Sequence, residues 1–462
     1  ARIVGDEADL AASRPQLDFG GIAVLRPTDT GWDFAAEQRM PVVLTRPNAP
    51  SWARVSAVIT ASSPGHAVYG YLSDDGTEEA TAVGTLSQAG LFLVPTDTTR
   101  NLSYHVAVAA GAARERAPAP ATDVAPCQAD QLNVVVAISD GDNLNVPLNR
   151  YRAGDRWDSA RRGELPMGWS IAPSLAVLAP AAWDRYATTA GAADELVGII
   201  GYGYGAPAVM ADPETFYRES FAAMDELGLT TFWSLGGGLE AEGSAGWSVL
   251  DAAADGSGAA GSGVPHQVLA GYGNGTGEPT QFWSAAGRPA FTSGVSYDDG
   301  PAQIAAHLAT LQARAPADRP LVSFVSASLW RNTYDQLVDA LRPLADAGVR
   351  FLTPAEAAAC LPPAPVPPTD PDGACRPTGT ITQSGHPLVS PVVAAELAAR
   401  PTALPLAVTV DADPTSVVGG GSIEHHLRAT IDLQTLADQV LVDRVRPLVA
   451  AGYGTDLAAS AW

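Results

Sequence analysis

Asp140, Asp142 and Asn143 close the run VVVAISDGDN, residues 134–143, in which five apolar residues give way abruptly to a polar cluster. Two carboxylates so close together can divide acid and base roles when their surroundings separate their proton affinities. The apolar run has the pattern of a buried strand, and an unpaired aspartate is costly to bury, so the polar cap points to a strand end opening on a cleft. Asp-Gly and Asn are also ordinary turn residues, which leaves a plain loop as the competing reading. Further on, Arg156, Trp157, Glu164 and Trp169 fall in one stretch. There, guanidinium groups suit carboxylate or hydroxyl ligands and indoles suit the faces of sugar rings, although ion pairing and core packing use the same residues. GYGYGAP, residues 201–207, joins glycines that permit close backbone approach to the hydroxyls of Tyr202 and Tyr204. Asp298 in SYDDG, and Trp330 and Asn332 in SLWRNT, complete the candidates. The expected catalytic groups are Asp142 and Asp140, with Asp298 or Glu164 as partner. The expected substrate contacts are Asn143, Arg156, Trp157, Trp169, Gly203, Tyr204, Trp330 and Asn332.

Side chains scattered over two hundred positions converge only if the elements carrying them repeat. From residue 131 onward short apolar strands alternate with helical segments such as PETFYRESFAAMDELG and TYDQLVDALRPLADAG. Repeated strand–loop–helix units argue for a parallel sheet or a (β/α) barrel, whose polar groups gather at the strand C-terminal ends. The expected fold is α/β: an irregular TIM-like (β/α) barrel at 130–356, preceded by a smaller α/β domain at 1–125. A Pro-rich linker at 357–380 then leads to an accessory α+β region at 381–462.

The chain of 462 residues has 50 acids against 27 bases, a formal charge of −23. Nucleic-acid binding is excluded on that balance, because no cationic excess exists to displace counterions. No apolar run reaches the roughly 20 residues of a membrane span. GYGYGAP is no dinucleotide loop, since Ala-Pro rather than a helix start follows it. Neither a zinc-type cysteine pair nor a clustered set of histidines appears, so no metal and no cofactor are expected. Cys360 and Cys375 bracket the Pro-rich stretch and could form a local disulfide. The N-terminus has neither an initiator Met nor a signal-peptide pattern, and removal of a precursor segment is expected.

ISDGDN, RRGELPMGWSIAPSLAVLAP and GYGYGAP, in that order, together with FVSASLWRNT and the upstream SQAGLFLVPTDTTRNLS, resemble the GxGYxYP family of glycoside hydrolases. Gly201, Gly203, Tyr204 and Pro207 agree with the family's name motif, and Ala206 stands where its second tyrosine is expected. The resemblance covers about residues 40–356. It implies a secreted or cell-surface bacterial protein with a barrel-like main domain and a poly- or oligosaccharide substrate. Two alternatives remain beside hydrolysis by carboxylate acid/base catalysis. One is a non-catalytic carbohydrate-binding or cell-surface protein; the other is a metal-dependent polysaccharide deacetylase using Asp140 and Asp142. Oligomeric state has no signature in the sequence.

Overall fold

The computed structural model describes residues 29–43, 64–71, 76–108, 111–256 and 264–364, positions 97, 122 and 274 excepted; positions 59 and 62; and strand segments at 2–3, 22–24, 406–411 and 426–431. The chain divides into two compact units, Ala1–Pro365 and Val366–Trp462. In the second, Leu406–Asp411 and His426–Ile431 form an antiparallel ladder. Cys375 lies outside the described residues.

The first unit opens with a five-stranded parallel sheet: β1 (Arg2–Ile3), β2 (Ile22–Val24), β3 (Pro41–Val43), β4 (Ala67–Gly70) and β5 (Phe92–Pro95), in the order β1-β3-β2-β4-β5. Helices Trp32–Glu37, Gly76–Gln88 and Leu102–Ala107 accompany it. There follow β6 (Asn133–Ile138), β7 (Met167–Ile171), β8 (Asp194–Ile199), β9 (Thr231–Ser234) and β10 (Gln267–Ala270). Beyond them come β11 (Thr280–Trp283), β12 (Pro289–Thr292), β13 (Val322–Ala327) and β14 (Arg350–Leu352). All but β11 run parallel, and the order β12-β10-β9-β8-β7-β6-β13 is closed by a bridge from Ser293 to Phe324. This is an irregular mixed barrel of TIM type flanked by smaller α/β regions.

The irregularity has a local cause. β13 pairs with β6 along its whole length, from Asn133 to Ile138. The opposite edge of β6 is shared, because β14 takes Asn133–Val135 while β7 joins only at Ala137 and Ile138. β14 therefore wedges in where β7 splays away. Alternation along each strand divides the apolar side chains between two layers. Val135, Ala137, Val197, Ile199, Trp233, Leu269, Phe291 and Phe324 fill the barrel together with Leu352, Ala357 and Cys360. Val134, Val136, Met167, Trp169, Phe232 and Val325 face outward into the helical layer with Trp183, Phe221, Leu308 and Leu337.

The short Pro354–Cys360 helix thus plugs the interior, held by a Thr353–Glu356 capping box. Gly168 makes room for it: a Cβ there would lie 2.8 Å from the Ala137 Cβ and 3.2 Å from the Pro354 Cγ. Glu195 is buried beside the plug, accepting from Thr231 and from the Ala355 amide at 2.6 Å, and burial pushes its carboxyl up to about 7. Cys360 is bonded to Cys127, with their Cα atoms 5.0 Å apart. The expected Cys360–Cys375 pairing is therefore corrected. The partner lies 233 residues upstream, brought to the plug by the strand-like pairing of the Cys127 amide with the Cys360 carbonyl.

Candidate active site

The loop that carries Asp140 and Asp142 has a backbone fixed on several sides. Directly after β6, Ser139 donates its amide to the Ala327 carbonyl at the end of β13. Asp140 then takes a left-handed conformation, φ 72°, which few non-glycine residues adopt. Gly141 lies so close to the end of β7 that a Cβ would fall 1.7 Å from the Ser170 carbonyl oxygen. Its amide donates to Ser170 Oγ at 2.9 Å. Leu144 donates to the carbonyl of Pro95, tying the same loop to the N-terminal sheet. Only glycine fits between the two aspartates, so their Asp-Gly-Asp spacing is a steric necessity.

Asp140 is 9% exposed and Asp142 6%. Asp140 Oδ1 accepts from the hydroxyls of Tyr297 at 2.8 Å and Tyr272 at 3.4 Å, while Ser139 donates to Oδ2. Burial raises its carboxyl above the usual range, and those hydroxyls and the Leu329 amide pull the other way. Asp142 is treated differently. Its Oδ1 is buried with no hydrogen-bond partner among the described residues. Burial first, and then the neighbouring charge of Asp140, push its carboxyl up to about 8. Two carboxyls on one loop thus face opposite environments, one rich in hydroxyl donors and one lacking them.

Three barrel strand ends and the N-terminal sheet supply the surrounding tyrosines. Tyr272 follows β10, Tyr297 follows β12, and Tyr204 belongs to the GYGYGAP loop after β8. That loop starts at Ile200, a β-branched residue at φ 56°. It is bridged to β5 by paired bonds between Tyr204 and Leu93, of 2.6 and 2.7 Å. Gly203 permits the approach, since a Cβ would meet Phe92 at 2.6 Å and the Leu93 carbonyl oxygen at 2.7 Å. Across the bridge, Glu79 accepts from Tyr71 and shares a hydrogen bond with Tyr204. Burial raises the hydroxyls of Tyr71, Tyr204, Tyr272 and Tyr297 far above their ordinary range, so all four stay protonated donors. Tyr204 and Tyr272 also border a pocket of about 290 Å³, whose other walls include Glu240, Gly236, Thr292 and Ser293.

The expected site residues divide sharply. Asp140, Asp142 and Tyr204 meet at the mouth, and Gly203 supports them. Trp157 and Trp169 are corrected: both are fully buried in an outer aromatic cluster, with ring centroids 5.2 Å apart. The Trp157 indole donates to Thr189 and that of Trp169 to Asp194. On β7 it is Gly168, one residue earlier, that faces the barrel interior. Glu164 is corrected as well, being exposed and paired with Arg161 at 3.4 Å and Arg342 at 3.6 Å. It precedes β7 whereas Asp140 follows β6, which by the register Ala137–Gly168 separates them by roughly 20 Å along the strands. Asp298 is corrected too: it points outward to Arg331 at 3.2 Å and forms no carboxylate pair, and it is its neighbour Tyr297 that donates to Asp140.

Arg156 pairs with Asp155 at 2.7 Å. Asn143 accepts from the Asn145 amide, shaping the turn. Asn332 is buried and donates to the Ser328 and Asp299 carbonyls, tying two mouth loops together. Trp330 is 48% exposed on the loop after β13, with the Arg150 guanidinium 5.2 Å from its ring centre. Tyr272, Tyr297, Tyr71 and Glu79 were missed. Tyr272 had a signal, because GYGNG at 271–275 repeats the Gly-Tyr-Gly of the singled-out loop. Among the described residues no three His, Cys, Asp or Glu side chains stand together as a metal ion requires, and no helix is long and apolar enough to cross a membrane.

Residues 131–360 match the model of the family described as "GxGYxYP putative glycoside hydrolase C-terminal domain". A crystal structure described as that of a "putative hydrolase from Bacteroides thetaiotaomicron VPI-5482" is similar in fold, with a TM-score of 0.63 at 20% identity. The alignment covers 77% of this chain and 68% of that one. At that identity the likeness is one of fold. No curated protein matches.

Proposed function

Given that the chain belongs to the GxGYxYP family through residues 131–360, and is in that sense glycoside-hydrolase-like, we propose that it cleaves glycosidic bonds in a poly- or oligosaccharide, with Asp142 as proton donor and Asp140 as the anionic partner. The observation that carries this reading is the unequal setting of the two carboxyls. Glycoside hydrolysis needs one carboxyl that keeps its proton near neutral pH and another that stays ionised. Asp142, buried and without a donor on Oδ1, favours its neutral form; Asp140, with three hydroxyls turned toward it, is much better equipped to hold charge. Asp142 would give its proton to the departing glycosidic oxygen while Asp140 faces the positive charge developing on the sugar. Tyr204 and Tyr272 beside the pocket supply an aromatic wall and hydroxyls for a sugar ring. Secretion or surface display is part of the proposal, supported by a disulfide of the kind that persists in oxidising compartments.

The test is release of reducing ends from a broad panel of neutral, amino and acidic glycans between pH 4 and 8. Hydrolysis of at least one member is expected, falling by at least about a hundredfold in Asp142→Asn and in Asp140→Asn, the scale of a lost acid–base group. Glycan binding without cleavage anywhere in the panel would overturn hydrolysis in favour of a carbohydrate-binding role.

A further inference from the structure

We propose that the pocket beside the carboxyl pair is the subsite for a sugar ring bearing a free amine, with Glu240 as the specificity-determining residue that binds the ammonium. The proposal rests on the hydrolase reading above and names the substrate class of that site, but its binding claim stands apart from cleavage.

The pocket adjoins Asp140 through one side chain. Tyr272 lines it and turns its hydroxyl to Asp140 Oδ1 at 3.4 Å. A volume of about 290 Å³ is at the lower end for small-molecule pockets, which suits one ring rather than several. Most of the polar side chains in the walls are already engaged. The Thr292 hydroxyl bonds to Thr280, that of Ser293 accepts from the Ser326 amide at 3.1 Å, and Tyr204 shares a hydrogen bond with Glu79. Glu240 is the exception. It is the one lining residue with a formal charge, it is exposed to solvent, and among the described residues no hydrogen bond or ion pair engages its carboxylate.

The position of Glu240 is built rather than incidental. It lies on the loop between β9 and the helix Ala245–Gly256. Leu239 before it is fully buried, and the Ala241 carbonyl after it accepts from the Trp247 indole at 3.1 Å. The Gly238 carbonyl is held in turn by the Ser244 hydroxyl. Gly271, immediately before Tyr272, lies against the Glu240 side chain: a Cβ there would stand 3.3 Å from Cγ and 3.6 Å from Oε1. Glycine at that place, with φ 71°, leaves the carboxylate its room beside the pocket.

Charge then selects the ligand. A held carboxylate in a wall without a cation attracts positive groups and repels negative ones. The lining has no Arg or His, the sequence has no lysine, and Asp140 stands just beyond Tyr272. A uronate or sulfated sugar would meet no cationic partner there. An ammonium gains a charge-assisted hydrogen bond, stronger than the one a hydroxyl makes at the same place.

The experiment compares glucosamine and galactosamine with glucose, galactose and their two uronates as ligands of the full chain. Binding is followed by NMR titration at about pH 6, where the sugar amine is protonated. The amino sugars are expected to bind roughly threefold to tenfold more tightly than the neutral ones, the scale of an exposed ion pair, and the uronates more weakly than either. The preference should shrink as salt is raised. Glu240→Gln should abolish it, and Glu240→Arg should turn it toward the uronates; both replace an exposed side chain, and thermal unfolding checks that the fold is kept. Equal binding of amino and neutral sugars, a preference that survives Glu240→Gln, or no binding by any of the six overturns the proposal. Amine-selective binding that needs Glu240, with no glycan cleaved, would refute hydrolysis and leave the subsite standing. Cleavage of glycans without regard to their amines would do the reverse.

Discussion

Replacing Asp142 by Asn should stabilise the protein near neutral pH, and should do so increasingly as pH rises. In the native state its carboxyl holds a proton up to about pH 8, from an ordinary value of 3.8. In the unfolded chain that proton is lost near pH 4. Between these limits the native state binds the extra proton, so wild-type stability falls as pH rises, by at most about 1.4 kcal/mol per pH unit. The contribution is fully present below about pH 4 and gone above about pH 8. Because Asp140 and Asp142 titrate as a pair, the useful quantity is the difference between variant and wild type rather than a constant for one site. Asparagine cannot ionise, so that difference should grow by roughly 2–4 kcal/mol from pH 4.5 to pH 8. In a domain of this size each kcal/mol moves Tm by about 2–4 °C. Thermal unfolding at the two pH values should therefore show a gap that widens by roughly 5 °C or more, while glycan cleavage is lost. A gap that is the same at both pH values would refute the buried, donor-poor setting of Asp142 and with it the assignment of the acid.

Three other outcomes follow from single contacts. Gly203→Ala introduces a Cβ 2.6 Å from the Phe92 ring and 2.7 Å from the Leu93 carbonyl oxygen. Denaturant unfolding should show a loss of about 1–3 kcal/mol, the usual scale of overpacking, and activity should fall with the displacement of Tyr204. Trp169→Ala should lower stability by about 3–5 kcal/mol as a core truncation, and glycan binding by the remaining folded fraction should be unchanged. Peptide mapping without reduction should recover Cys127 joined to Cys360, and Cys127→Ser should cost about 2–5 kcal/mol.

How far the sequence could be read depended on whether the deciding interaction was local. The switch from VVVAI to SDGDN lies in ten consecutive residues, and a strand running into a cleft was legible from them alone. The parallel barrel was legible because strand–loop–helix units repeat. Trp169 failed by one position: along a strand neighbouring side chains face opposite ways, and Gly168 rather than Trp169 has the inward place. The same one-residue alternative separates Tyr297, which reaches Asp140, from Asp298, which reaches solvent and Arg331. Composition favoured the aspartate in the second case and the indole in the first, and neither preference carries register. Glu164 was misjudged because its position at the entrance of β7, rather than the exit, depends on where that strand begins. Cys127 and Glu79 were beyond reach for another reason. Each meets its partner through pairing between distant segments, Cys127 with Cys360 and the Tyr204 loop with β5.

The strained positions explain why so much of the chain is committed to so small a cluster. Asp140 at φ 72° and Ile200 at φ 56° both stand immediately beyond strand ends that face the mouth. Backbone in such regions costs of order 1–3 kcal/mol per residue and persists only where the surroundings over-determine it. Those surroundings can be named. Asp140 is fixed between the Ser139–Ala327 bond on one side and the Gly141–Ser170 contact on the other, while Ile200 donates to the Trp233 carbonyl before the chain turns to β5. A buried carboxyl repelled by its neighbour would escape by moving, and a floppy loop would let it. Rigid ties to β7, β13 and the N-terminal sheet deny that escape, so the repulsion is met by holding a proton. The barrel loops supply the unequal hydroxyl donors of the two aspartates, and the ties to the N-terminal sheet hold those loops in place.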